Sequence, residues 1–225
     1  MRIHVWLSGL LLGVLLLVGC GGGSSNTAEL RFVLASPDAP GVNILIDGKS
    51  VATNMPPGSS TGYISVTSGS RHIQLVPATG SSTTPILDEK LSISNAAKQT
   101  FLVTGPVAAI KPIVLSDGGT TAVTGDGHVR VFNASSTIGP SDVYIVPAGT
   151  TLTGVKAVAS NLPFDQGTTY QAVGTGNYQV FLTSPQSTSV NLSTGPLDLA
   201  ANANQTVVVL DNSAGGSTFL QLTDQ

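Results

Sequence analysis

The sequence predicts an all-β fold of two tandem antiparallel β-sandwich domains, on three observations. Short runs rich in Val, Ile, Leu, Thr and Tyr are separated throughout by clusters of Gly, Pro, Asn, Asp and Ser. The pattern of one half recurs in the other at a nearly constant offset. No stretch beyond the amino-terminal segment carries a capped helical period: Asn95–Lys98 and Ala200–Asn204 allow one helical turn at most. Composition fits this reading. A chain of 225 residues allows one large or two small domains, and 41% hydrophobic residues disfavour disorder. The 26 glycines and 13 prolines supply turns, while a charged fraction of 9% leaves the surface to small and hydroxylated side chains. With nine Lys plus Arg and a net charge of −3, no basic stripe is available for phosphates, so nucleic acid is not an expected partner.

Residues 1–19 read as a targeting segment. Arg2 gives the positive start and Val5–Val18 an apolar core, too short for a membrane-spanning helix of about 20 residues. Leu17-Val18-Gly19-Cys20 resembles the bacterial lipobox. That resemblance implies cleavage before Cys20, a diacylglycerol on its thiol, and anchoring in the cell envelope. Several acyl chains suffice for stable attachment, each buried methylene contributing about 0.8 kcal/mol. Gly21 rather than Asp follows the cysteine, which is similar to the pattern of lipoproteins sent to the outer membrane; the face exposed there stays open. Cys20 is the sole cysteine, so no disulfide forms within the chain. An ordinary secretory signal holding an incidental cysteine is the alternative. Residues 20–27, with GGGSSNT, form a flexible tether.

The first β-sandwich is expected over 28–115, a linker over 116–127 and the second sandwich over 128–225. Strands are expected near 30–34, 42–47, 62–66, 71–76, 86–93, 100–104 and 112–115. Ile73 and Leu75 alternate with His72 and Gln74, the period of a half-buried strand. Asp47-Gly48 marks a turn, and Asp117-Gly118-Gly119 and Asp126-Gly127 bracket the linker. The repeat places Arg31 on Arg130 at an offset of 99, Tyr63 on Tyr170 at 107, and Thr100 on Thr206 at 106. The architecture is immunoglobulin-like in the broad sense, without a buried Cys-Trp-Cys set, because Trp6 lies in the targeting segment. A single fused sandwich is the alternative.

Ala35-Ser36-Pro37-Asp38-Ala39-Pro40, followed by Val42–Ile46 and Asp47-Gly48-Lys49, resembles the opening of the bacterial domain of unknown function 4397. Two copies would span 28–225, the second worn where Ser135-Ser136-Thr137-Ile138-Gly139 replaces the Ser-Pro-Asp-Ala-Pro run. The resemblance implies an exported, often lipid-anchored or surface protein with a β-sandwich, and no reaction.

Chemistry is sparsely encoded. Gly58-Ser59-Ser60-Thr61-Gly62 fits G-x-S-x-G, yet Pro56-Pro57 precedes it and a strand follows where a nucleophile elbow needs a helix. His72 and His128 are isolated, and no cysteine cluster accompanies them, so no metal or cofactor is expected. Asp38 and Asp47 could offer oxygen ligands to Ca²⁺, but their counterparts are Thr137 and Val146; turn-organising roles are simpler. Asp117, Asp126 and Asp88-Glu89 read as turn and edge acids. The expectation is a non-enzymatic envelope protein, membrane-bound through Cys20. It would present loop residues Ser36, Pro37, Asp38 and Pro40, or strand edges, to an envelope or surface protein or polysaccharide. The alternatives are a hydrolase using Asp38 or Ser60 with His72, and a calcium-stabilised adhesin module.

Overall fold

The structure, a computed structural model, describes residues 26–80, 83–118 and 125–224. The expected targeting segment, Cys20, most of the expected tether and half of the expected linker lie outside the described residues. Unit 1 comprises β1 (Thr27–Leu34), β2 (Val42–Ile46), β3 (Lys49–Met55), β4 (Ser59–Ser60), β5 (Ile64–Thr67), β6 (Gly69–Pro77), β7 (Leu87–Ile93), β8 (Lys98–Thr104) and β9 (Lys111–Ser116). Unit 2 comprises β10 (Gly127–Ala134), β11 (Ser141–Pro147), β12 (Ala159–Leu162), β13 (Gln166–Gly167), β14 (Gln171–Val173), β15 (Gly176–Thr183), β16 (Val190–Ser193), β17 (Leu197–Leu199), β18 (Asn204–Asp211) and β19 (Ser217–Thr223).

Each unit is a two-sheet sandwich, and the two share one plan. In unit 1 the inner sheet has the order β4-β1-β8-β9, with β5 continuing the β4 edge of β1, and the outer sheet β3-β2-β6-β7. In unit 2 the corresponding sheets are β13-β10-β18-β19, with β14 continuing that edge, and β12-β11-β15-β16, with β17 beside β15. Most pairings are antiparallel, but β1 runs parallel to β8 and β10 parallel to β18. All seven strands expected in unit 1 form. Lys49–Met55 adds an eighth substantial strand that its polar, irregular sequence conceals, because it is an edge strand paired with β2 alone. Asp47 (φ 50°) and Gly48 (φ 77°) join β2 to β3 in consecutive left-handed conformations, as a tight hairpin of this twist requires. Asn95–Lys98 is not helical: Ala96 sits at φ 55° in a turn, and Lys98 already belongs to β8.

Alternation along the inner strands divides them between two cores. Leu30, Phe32 and Leu34 of β1 and Phe101 and Val103 of β8 face the outer sheet, where Val42, Ile44, Ile73 and Leu75 meet them. The Phe32 and Phe101 rings lie 5.6 Å apart and tilted. Val129, Val131, Val207 and Val209 do the same in unit 2 against Val143, Ile145, Val180 and Leu182. The opposite faces of these strands are buried too. Val33, Ala35 and Leu102 meet Phe132, Ala134, Val208, Leu210 and Leu222, so the two inner sheets pack face to face. The longer loop after β11 folds over the outer sheet of unit 2, placing Leu152 against Tyr144 and Val146 with Phe181 beside them.

Candidate functional site

The interface between the units has two poles. At one lie the start of β1, the end of β9, the start of β10 and the end of β19, so the chain enters unit 1, leaves it, enters unit 2 and closes its last strand at the same end. A buried charge cluster closes this base. Arg31 donates from Nη2 to Asp224 Oδ1 at 2.5 Å, from Nη1 to the Thr223 carbonyl at 3.0 Å, and from Nε to Thr100 Oγ1 at 3.0 Å. Arg130 repeats the set reciprocally, reaching Asp117 Oδ1, the Ser116 carbonyl at 2.8 Å and Thr206 Oγ1 at 2.7 Å. Each unit's arginine therefore pairs with the carboxylate at the end of the other unit. Thr100 and Tyr63 donate to Asp117 Oδ2 at 2.5 and 2.7 Å; Thr206 and Tyr170 donate to Asp224 Oδ2 at 2.6 and 2.7 Å. Arg31 and Arg130 stack over the Tyr63 and Tyr170 rings at 4.5 and 4.6 Å. Both aspartates are fully buried, and two guanidiniums balance two carboxylates with every guanidinium nitrogen and carboxylate oxygen hydrogen-bonded, the condition under which buried charge is tolerated. Asp117, expected to act as a turn acid, is instead a hub of this clasp: it directly follows β9, where the chain meets the other unit's Arg130.

The clasp carries a pH signature. Burial, and next the bond it donates to Asp117, hold the Tyr63 phenol above the usual range. Burial raises Tyr170 as well, against the opposing charge of Arg130 and with help from Asp224. Both therefore keep their protons in the fold at pH values where an unfolded tyrosine, with a pKa of about 10, has lost its own. Their contribution is complete below that pKa and declines as pH rises above it. Urea midpoints measured across the alkaline range are expected to fall, and the Tyr63→Phe/Tyr170→Phe double variant to flatten the fall.

The opposite pole, one strand length of roughly 25 Å away, carries loops 36–41, 56–58, 105–110, 135–140, 163–165 and 212–216. Ser36 is buried and donates to Asp38 Oδ1 at 3.3 Å; the same oxygen accepts the Val107 N–H at 2.9 Å, tying loop 36–41 to the β8–β9 turn. Asp38 and Pro40 remain exposed at the tip, and Pro37 is half-buried. Unit 2 solves the same problem in reverse. Thr137 occupies the place of Asp38, and Asp211, at the end of β18, accepts the Thr137 N–H at 3.1 Å, the Ser136 N–H at 3.0 Å and the Ser136 and Ser135 hydroxyls. Partial burial opposes its charge, but these bonds outweigh it and hold the Asp211 carboxyl below the usual range. At this loop pole, between the two units, a cleft of about 450 Å³ opens, lined by Pro37, Ala39, Pro57 and Gly58 from unit 1 and Asp211, Asn212, Ser213 and Thr218 from unit 2.

The other candidate residues lie apart. Ser60 sits in β4 opposite Val33, in extended chain without a following helix. His72 lies on the outer sheet, where Nε2 meets Asp88 Oδ1 at 2.5 Å; Gln74 donates to the other oxygen at 2.9 Å. The bond with His72, then that from Gln74, lowers the Asp88 pKa. Asp47 lies at the base end of β2, accepting the His72 N–H at 2.9 Å and Arg71 Nη1 at 3.0 Å, so it shares no site with Asp38 at the loop pole. His128 is buried at the start of β10. Among the described residues no three His, Asp or Glu side chains gather as a metal centre. Asp224 and Asp211 were not singled out by sequence reasoning. Asp224 matches Asp117 at the offset of 107 that relates the tyrosines, which was the available signal.

No curated protein matches the chain. A crystal structure of a protein from Bacteroides fragilis, described as a candidate cell adhesion protein, is 11% identical over 87% of this chain and 97% of that one; its TM-score of 0.24 lends no weight to a shared role. The profile of the domain of unknown function DUF4397 matches residues 28–144 and again 127–225. Two matches spanning the two sandwiches establish the relationship: the chain belongs to the DUF4397 family and carries its domain twice.

Proposed function

We propose that the protein is a non-enzymatic lipoprotein of the bacterial cell envelope. Cys20 bears the anchor, most simply in the outer membrane, and the two units present their loop pole to an envelope or surface partner, a protein or a polysaccharide. One observation carries this reading: the start of β1, the end of β9, the start of β10 and the end of β19 lie at the clasped base, while the loops lie one strand length away. A domain held from its base turns its loops outward, and a rigid sandwich is the usual scaffold for loops that bind. Each half of the clasp fixes the other, so the loops of both units keep one relative arrangement.

Two experiments test it. Cys20→Ala is expected to release the protein from the membrane fraction and abolish palmitate labelling; retention with undiminished labelling would defeat the anchor. In cells, a photo-crosslinking residue at Pro40 is expected to give a discrete adduct that is absent when it is placed at Glu89 on the outer sheet. Equal adducts at both positions would remove the loop pole from the proposal.

A further inference from the structure

The duplication provides an internal comparison at the loop pole. Gly58 N–H donates to the Leu34 carbonyl at 2.7 Å, and Asp165 N–H to the Asn133 carbonyl at 2.8 Å; Thr61 and Thr168 likewise bond the Phe32 and Val131 carbonyls. Lys111 faces Thr104 across β8–β9 as Thr218 faces Leu210 across β18–β19. Gly58 is thus the equivalent of Asp165, and Thr218 that of Lys111. At one corner of the interface Lys111 Nζ of unit 1 reaches Asp165 Oδ2 of unit 2 at 3.5 Å and bridges the units. At the other corner the same two positions hold Gly58 and Thr218, and there the cleft opens.

The chemistry left to a ligand in that cleft is narrow. Asp211 is committed to loop 135–137 through both carboxylate oxygens. What remains is a stiff apolar wall of Pro37, Ala39 and Pro57 facing the neutral donors and acceptors of Asn212, Ser213 and Thr218. We propose that this corner, and not its ion-paired twin, binds an uncharged, extended polypeptide segment. The assignment rests on reading the loop pole as the binding end. Small apolar side chains cover the proline wall while the ligand's backbone amides exchange hydrogen bonds with the opposite wall, a division usual in protein recognition. No aromatic ring lines the cleft to stack on a sugar, and no uncommitted charge is present to meet an ionic ligand.

The twin corner prescribes the test. Gly58→Asp with Thr218→Lys installs the bridging pair: a Cβ at Gly58 meets nothing within 4 Å, and Asp165 already occupies the equivalent left-handed position at φ 61°. The full chain in detergent is applied to an array of short peptides, charged and uncharged, and to an array of bacterial glycans. Uncharged peptides are expected to bind, and the double variant to lose them by about tenfold or more at an unchanged melting temperature. Lys111→Thr, which opens the twin ion pair only, is expected to leave that binding unaltered. Glycan binding without peptide binding, selection of charged peptides, no binding on either array, or peptide binding indifferent to the double variant would each overturn the proposal. The Pro40 crosslink separates the two readings: an adduct that persists in the double variant keeps the loop pole and rejects this corner, whereas its absence from the wild type rejects the loop pole itself.

Discussion

Asp117→Ala is expected to cost about 3–5 kcal/mol of stability, the range for removing one member of a buried ion pair. The substitution strips Arg130 of its cross-unit partner and Arg31 of a second carboxylate 3.5 Å away, and it takes the acceptor from Tyr63 and Thr100. Arg130 is then left without a carboxylate, while Asp224 still pairs with Arg31, in a site buried from solvent. The cost falls on the contact between units, because each sandwich keeps its own core. Urea unfolding followed by hydrogen exchange is therefore expected to resolve two transitions where the wild type shows one. A loss under about 1 kcal/mol, the scale of exposed pairs, would mean that water reaches the cluster readily.

Phe32→Ala is expected to cost a comparable 3–5 kcal/mol, but by a different route. Phe32 is 1% exposed, lies against Phe101 and fills the centre of the unit 1 core beside Leu30 and Leu34. Its neighbours Arg31 and Val33 on the same strand face unit 2. Loss of the ring therefore loosens a strand that serves two cores. Amide protection is expected to fall in β1 and β8 first and then in β10 and β18; loss confined to unit 1 would show that the interface does not transmit the change.

These two positions also mark the limits of what the sequence makes legible. The duplication and the sandwich of each unit could be read, because an outer strand such as Arg71–Val76 alternates and turn residues punctuate the chain. The face-to-face union of the inner sheets was harder to see. Leu30–Ala35 and Thr206–Leu210 are nearly continuous apolar runs, the mark of strands buried on both faces, and an arginine inside the first disguises it. Arg31 and Arg130 recur at one offset in a chain with few charges, yet their partners lie 193 and 13 residues away, which no local pattern reports. Loop 36–41 could be picked out by its proline-flanked aspartate, whose bond to Val107 is again a tertiary matter. The cleft was invisible for a further reason: it depends on two positions, Gly58 and Thr218, whose meaning comes only from the ion pair at their counterparts.

The parallel pairing of β1 with β8 has a mechanical consequence. A pull between the amino-terminal end of β1 and the 105–110 turn at the far end of β8 runs along the two strands, not across them. Such a load shears β1 past β8, stressing the six residue pairs from Glu29–Lys98 to Leu34–Val103 together rather than peeling them apart one by one. A load drawn between the base and the loop pole would thus be borne by the whole ladder at once, so the pairing that shapes the core would also set the force the unit withstands.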